Sequence, residues 1–362
     1  MISKKIIYLL FFFLFLFFES SASNSNQNQK KNEKNENKNQ ENIANIILDH
    51  VSDSHEWHVA GTHNRGIIFS LPVILWNNGL EIFSSSTFSS HNVVKGKYGY
   101  YKMFRGKIYK TNYLGLLYIN PKGIPKNDKP WDFSVTKNVV SIFISSFLLS
   151  YIFIRMKRSY TNYQTKWSLG IFLEFLILFI RDEIAIPNIG NKKYKIFFPF
   201  LLTSFFFILI NNLLGLIPGF SNVTGNINIT LMLAVMTFIV SNTNANLSYW
   251  KHIFWMPGIP MGIRLLLAPI EFIGIFIRPL TLCIRLFANI TAGHIIILSF
   301  ICLIFIFKSF FIAGFSIIFG FFISMLEIMV AFLQAFIFTT LSALLIGMSV
   351  KNYDHDHDNE TH

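Results

Sequence analysis

Hydrophobic and polar positions along this chain alternate over tens of residues rather than over single helical turns. Apolar runs at 138–154, 196–217 and 227–250, and two longer ones at 264–307 and 310–350, are separated by short polar or basic stretches. A membrane-spanning helix needs about 20 predominantly apolar residues. The runs therefore predict an all-α polytopic membrane protein with five crossings. The last two exceed the length of a perpendicular span, which predicts long helices that are tilted, broken or partly interfacial. The run at 167–186 is different, because Glu174, Arg181, Asp182 and Glu183 interrupt it and Lys192, Lys193 and Lys195 follow it. With basic flanks at both ends it reads as one interfacial helix that lies on the membrane or dips back.

The pattern before the first span is of another kind. Lys4 and Lys5, an apolar run at 6–18, and then Ser20, Ser21 and Ala22 have the layout of a secretory signal. Cleavage is expected after Ala22, giving a signal peptide at 1–22, with an uncleaved anchor as the alternative. Residues 23–49 are mainly Asn, Lys, Glu, Gln and Ser in their first part and read as a disordered linker. Residues 50–134 turn to aromatic and β-branched types, and two β-like runs around Asn77, Asn78 and Gly79 predict a hairpin. A second strand-like cluster spans 95–118, so this is a small, extended extracytoplasmic region. The membrane domain is expected at 135–350 and a polar tail at 351–362. Arg155, Lys157 and Arg158 directly follow the first span. The positive-inside rule then places them in the cytoplasm, with the mature N-terminus outside and the C-terminus inside.

Composition supports the membrane reading: 52% of residues are hydrophobic, 41 are Phe and only 14% are charged, against about 25% charged in a soluble domain. The net charge of +12 comes from basic residues at the ends of apolar runs, a topology signal rather than a nucleic-acid surface. The two cysteines, Cys283 and Cys302, lie inside apolar runs and offer neither a disulfide framework nor a paired-cysteine zinc site. No Gly-rich loop followed by Lys-Ser or Lys-Thr is present, so no nucleotide site is expected, and no cofactor. His50, His55, His58 and His63 lack finger or helical ligand spacing. His355, His357 and His362 interleave with Asp354, Asp356 and Asp358 in a solvated tail. Neither group is assigned a metal.

Candidate chemistry sits in the two longest runs. Arg285 lies deep in the first, where an arginine costs at least about 2.5 kcal/mol on the mildest insertion scale and cannot shed its proton. Arg278 is nearer the cytoplasmic end and fits snorkelling. The second run carries Glu327 and Gln334, seven residues and thus about two turns apart, on one face. Setting antiparallel helices with Arg285 opposite Gln334 brings His294 to nearly the depth of Glu327. Asn289 is one turn from Arg285 on the same face, whereas nine residues of rotation turn His294 to the opposite face. One face presents a fixed cation and the other lines a path with titratable groups. A plain structural His-Glu pair is the competing reading.

Arg285-Leu-Phe-Ala-Asn289 with Ala-Gly-His294, followed by Gln334-Ala-Phe-Ile-Phe, resembles subunit a of F-type ATP synthases. The likeness extends to Phe198-Pro-Phe-Leu-Leu-Thr, Asn211-Asn-Leu-Leu-Gly-Leu-Ile-Pro218 and Gly225-Asn226-Ile, covering roughly 135–350. The resemblance implies a proton-translocating stator subunit of the bacterial inner membrane. Its partners would be a c ring, b subunits of the peripheral stalk, the other synthase subunits, the lipid bilayer and protons, with nucleotide catalysis in partner subunits. It also implies that Arg285 is the essential arginine facing a c-ring carboxylate, with Asn289, His294, Glu327 and Gln334 lining the proton path. Many bacterial members carry an acidic residue at the position of His294 and a histidine at that of Glu327; here the two are exchanged, as in mitochondrial members. The exported region, including Asp53-Ser-His55-Glu56-Trp57-His58, looks like that of Bacteroidetes-type members. A self-contained secondary transporter or channel is the rival, and it would call for an internal repeat that the sequence does not display. A purely structural anchor is disfavoured by the intramembrane polar groups.

Overall fold

The computed structural model describes residues 53–60, 67–90, 93–104, 106–120, 125–161, 168–217, 220–255, 260–307 and 310–351. The signal segment, the linker, His50, His63 and the His/Asp tail lie outside the described residues. The chain divides into two compact units. The first holds the described residues of 53–144, 214–228 and 293–324, and the second those of 145–213, 229–292 and 325–351.

Three antiparallel strand sets dominate the first unit. Strand β1 (Glu56–Ala60) pairs with β2 (Ile67–Ser70). Strands β3 (Pro72–Trp76) and β4 (Leu80–Ser84) form the hairpin expected around Asn77–Gly79, and the short helix α1 (Ser85–Ser90) follows. Asn78 adopts φ of 59°, the left-handed conformation that a tight hairpin turn requires and that Asn tolerates. Strands β5 (Val94–Lys95), β6 (Tyr100–Phe104) and β7 (Lys107–Thr111) make a meander, and β8 (Trp131–Asp132) closes the free edge of β3. Alternation along β3 drives Val73 and Leu75 into a core with Tyr101 and Ile108. The buried Tyr101 hydroxyl receives the Asn77 amide at 3.0 Å, and burial pushes its pKa up to about 12.

The sheet runs almost directly into the first apolar helix, α2 (Lys137–Thr161). The β3 ladder continues past β8, since Phe133 donates to the Ile74 carbonyl and Val135 to that of Pro72. The helix start is capped from a distance: Lys137 donates its backbone N–H to the Ser54 carbonyl at 3.1 Å, and Asn138 donates to the Asp53 carboxylate at 3.4 Å. These bonds satisfy donors that every helix N-terminus leaves unpaired. Ser221 also bonds the Asn138 side chain, and Phe220 meets Trp57 edge-on.

In the second unit, helix α3 (Ser168–Phe179) passes through a π-helical turn at Ile180–Ala185 into the short α4 (Ile186–Ile189), which ends at Gly190 with φ of 91°. The π turn keeps Arg181, Asp182 and Glu183 outside while Ile180, Ile184 and Ala185 are buried. Helix α5 (Tyr194–Gly215) and helix α6 (Ile227–Thr243) follow. The run expected as one helix over 227–250 breaks at 244–246 and resumes as α7 (Leu247–Phe254). The cause is the asparagine cluster. Asn242 and Asn244 bond carbonyls four residues back, while Asn246 turns extended, its amide reaching the Val350 carbonyl at 2.6 Å.

The last two helices, α8 (Met261–Phe307) and α9 (Phe310–Val350), hold 47 and 41 residues. At a rise of about 1.5 Å per residue each is roughly twice as long as the ~30 Å hydrocarbon core is thick. Four described helices are long and apolar enough to cross a membrane: the segments Lys137–Arg158, Tyr194–Gly215, Leu265–Phe300 and Gly314–Val350. Helix α6, with 17 residues, is the shorter fifth apolar helix. Within the second unit α9 is fastened to its neighbours by polar side chains in sequence. Asn212 on α5 donates to the Ala331 carbonyl at 3.3 Å, Thr237 on α6 meets Ser342 at 3.2 Å, and Ser241 donates to the Leu345 carbonyl at 3.3 Å. Where helices have no hydrophobic drive to associate, such bonds and close packing hold them together.

Candidate functional site

Helix α8 carries Arg285 with Leu286 and Ile290 buried beside it and Ile284 and Ala288 exposed. The arginine is thereby half-buried at the edge of the unit. It makes no ion pair among the described residues. Arg278, two turns earlier, differs: its guanidinium lies 3.5 Å from Glu271 and its Nη1 lies 3.7 Å from the Met348 sulfur. Of the two arginines, Arg285 is thus the one without an ion pair among the described residues.

On helix α9, Glu327 and Gln334 are 5% and 1% exposed. They share the buried face, as their two-turn spacing requires. The Asn289 amide donates to the Gln334 side-chain oxygen at 2.9 Å, joining α8 to α9 one turn beyond Arg285. Among the described residues Asn289 is the hydrogen-bond partner of the Gln334 side-chain oxygen. Both Glu327 oxygens and the Gln334 amide nitrogen are buried without a hydrogen-bond partner among the described residues. Buried polar groups are nearly always paired, so three such atoms on one face of one helix call for a partner beyond the described residues.

His294, which the sequence register sets at nearly the depth of Glu327, belongs to the first unit. A Cβ placed on Gly215 would lie 3.7 Å from His294 Nε2 and 3.6 Å from Asn222 Oδ1, so the imidazole sits where α5 ends and the 220–226 loop begins. Asn222 folds that loop: its oxygen accepts from the Gly225 N–H at 3.0 Å and closes the 3₁₀ turn Val223–Gly225. The Asn222 amide nitrogen is itself buried without a partner among the described residues. The signal that could have located it is the density of Asn, Thr and Gly between two apolar helices. Thr237 and Ser342 were unmarked in the sequence, since small polar residues gain meaning only from the helix they face, whereas Asn212 belongs to the Asn211–Pro218 run that carries the family resemblance.

Among the described residues no group of three or more His, Cys, Asp or Glu could hold a metal ion. His55 instead lies 3.4 Å from Asp132, buried beside the sheet edge.

Long apolar helices carrying a half-buried arginine, a buried carboxyl and an amide pair define a polytopic helical membrane protein built around intramembrane polar groups, the class to which ion-conducting subunits belong. The model of the ATP synthase A chain family matches residues 138–347. ATP synthase subunit a of Chloroherpeton thalassium is 44% identical over 238 residues, covering 64% of this chain and 71% of that protein. ATP synthase subunit a 2 of Chlorobaculum tepidum is 45% identical, with 63% and 66% covered, and subunit a of Myxococcus xanthus 40% identical, with 64% and 77% covered. The chain belongs to the ATP synthase A chain family. It is a multi-pass membrane protein of the proton-translocating Fo part of the F-type complex, not of its catalytic part. A second family model, described only as a domain of unknown function, matches residues 46–133.

Proposed function

We propose that Arg285 is the fixed charge of the stator, and that Asn289, His294, Glu327 and Gln334 line the proton path between the bulk phases and the c ring. A proton enters from outside past His294 and Glu327, neutralises a carboxylate on a c subunit, and leaves toward the cytoplasm after the ring has turned. Arg285 attracts the ionised c-ring carboxylate and separates the two half-paths, because a guanidinium that stays protonated cannot relay protons. The observation that carries this reading is the Asn289–Gln334 bond one turn from an arginine with no ion pair among the described residues. The family pairs this subunit with the c ring and b subunits. The chain is organised as a cleaved signal at 1–22, a linker at 23–49, an extracytoplasmic region at 50–134, the membrane domain at 135–350 and a cytoplasmic tail, with the mature N-terminus outside.

His294 and Glu327 supply one base and one acid, in the order opposite to many bacterial relatives. Each can hold or release a proton near neutral pH once its surroundings shift it. The test is ATP-driven proton pumping in inverted vesicles, normalised to assembled complex. His294→Ala and Glu327→Ala each impair pumping. The double exchange of His294→Glu with Glu327→His is expected to recover more than either single exchange, since a single exchange leaves two carboxyls or two imidazoles. A double exchange no better than the worse single one would contradict a shared path.

A further inference from the structure

The exported region bears a feature that proton conduction does not use. The sheet of β4, β3 and β8 buries Val73 and Leu75 on one face, so the opposite face receives every other side chain. Register sets these in two rows, Trp131–Trp76–Leu80 and Phe133–Ile74–Ile82. Trp131, Trp76, Leu80 and Ile82 are 73%, 52%, 57% and 63% exposed. An antiparallel sheet turned to water on one face normally alternates to polar residues there. This one does not, and an exposed apolar patch of that kind marks an interaction surface.

Two hollows share the tryptophan pair as a wall. One, of about 410 Å³, is lined between Trp76 and Trp131 by Asn78, Lys110, Asp128 and Lys129. The other, of about 360 Å³, is lined by Trp76, Trp131 and Phe133 alone. A polar hollow with two lysines against one aspartate, back to back with a wholly apolar one, matches an amphiphile with an anionic head. Tryptophan, apolar on its body and polar at its N–H, is the side chain that collects at the level of lipid headgroups.

The place of the sheet in the chain selects the source. Hydrogen bonds of the β3 ladder persist through Val135, and the first membrane-spanning helix begins at Lys137. Only Thr136 separates sheet from span, and Asp53 and Ser54 clamp the joint. A domain held that tightly to a span stays within reach of the bilayer surface. We propose that the β4–β3–β8 face is a membrane-docking surface that lies in the headgroup region of the bilayer the chain spans, with Lys110 and Lys129 engaging anionic phospholipid headgroups. Apolar area and attraction to anionic lipid then act together, as for other interfacial anchors.

The experiment uses the assembled complex in lipid nanodiscs, with Cys283 and Cys302 replaced and a nitroxide attached at Ile82→Cys or, separately, Leu80→Cys. Lys95→Cys, an exposed position on another sheet, is the solvent reference. Accessibility to oxygen, which concentrates in lipid, is compared with that to a water-soluble nickel chelate. In nanodiscs containing phosphatidylglycerol the oxygen-to-nickel ratio at both sites is expected to exceed the reference several-fold. Lys110→Glu with Lys129→Glu, or phosphatidylcholine alone, should lower it. A ratio equal to the reference would overturn the proposal, as would a label shielded from both reagents, which would mean that protein covers the face.

Discussion

Asn289 and Gln334 differ in what each stands to lose. Gln334 is 1% exposed and, among the described residues, receives its one side-chain hydrogen bond from Asn289, which is itself exposed. Asn289→Ala strands a second buried atom of the glutamine, and a stranded polar atom costs about 1–3 kcal/mol, at the lower end between membrane helices. Gln334→Met removes the buried polar group while keeping its volume. Thermal melting of the assembled complex should therefore show the larger loss for Asn289→Ala; the reverse order would mean that the bond does not hold the helices. Asp53 and Asp132 form a second contrast, outside the membrane. Burial raises the Asp53 carboxyl above its ordinary value, only partly offset by Thr136 and Lys137. Burial also opposes ionisation of Asp132, but the bonds from His55 and Ser134 outweigh it and hold that carboxyl below the ordinary value. Asp132 thus contributes stability that is full above the ordinary value of 3.8 and is lost as pH falls through the depressed one. Asp53 behaves oppositely: its contribution is full below 3.8 and is lost as pH rises through the raised value. Resistance of the strand-rich region before the first span to limited proteolysis at pH 7 should fall in Asp132→Asn and hold or rise in Asp53→Asn. The Asp53→Asn gain should shrink as the pH is lowered toward the raised value. A loss of protection in Asp53→Asn would show that its charge, not its oxygen, is what caps the helix.

Helix α9 approaches the end of α4 so closely that a side chain does not fit. A Cβ on Gly347 would lie 2.0 Å from the Asn188 carbonyl oxygen, a backbone atom that cannot rotate away. Gly347→Ala must push two elements apart, at about 1–3 kcal/mol or more, and should sharply reduce the amount of subunit recovered in assembled complex. Gly320, on the same helix, has nothing within 4 Å of its Cβ position, so Gly320→Ala gains up to about 1 kcal/mol of helix propensity. Equal recovery of the two variants in quantitative blots of purified complex would contradict this packing. At this scale much was legible beforehand. The spans follow from the lengths of apolar runs, and the β3–β4 hairpin from Asn-Asn-Gly. The break at 244–246 was not, because it needs the Ser349 and Val350 carbonyls at the far end of the chain to receive Asn246. Nor was the π turn, whose phase shift answers to burial of Ile180 and Ile184 on neighbours no local pattern encodes. In the site, Arg285 and Glu327 announce themselves by the cost of charge in lipid. The density of Asn, Thr and Gly marks the 220–226 loop locally, but its grouping with His294 joins chain segments about 70 residues apart and is not encoded there.

Across the whole molecule, burial is distributed unevenly. Half of the most apolar stretch of α5 is buried, but only 17% of those of α8 and α9, the helices that carry Arg285, Glu327 and Gln334. Helices that hold the polar groups yet leave most of their apolar surface uncovered are built to work against lipid and partner subunits. The family supplies those partners in the c ring and the b subunits. The β4–β3–β8 sheet, joined to the first span by a single residue, is the second zone of membrane contact proposed above. The central claim is that Arg285 supplies a permanent charge to the c-ring carboxylate. Its most direct test is ATP-driven proton pumping by Arg285→Ala and Arg285→Lys in inverted vesicles, normalised to assembled complex. Pumping should be abolished in Arg285→Ala and lost or nearly lost in Arg285→Lys, whose ammonium is a point charge that can deprotonate when buried. Normal pumping by assembled Arg285→Ala complexes would contradict the account.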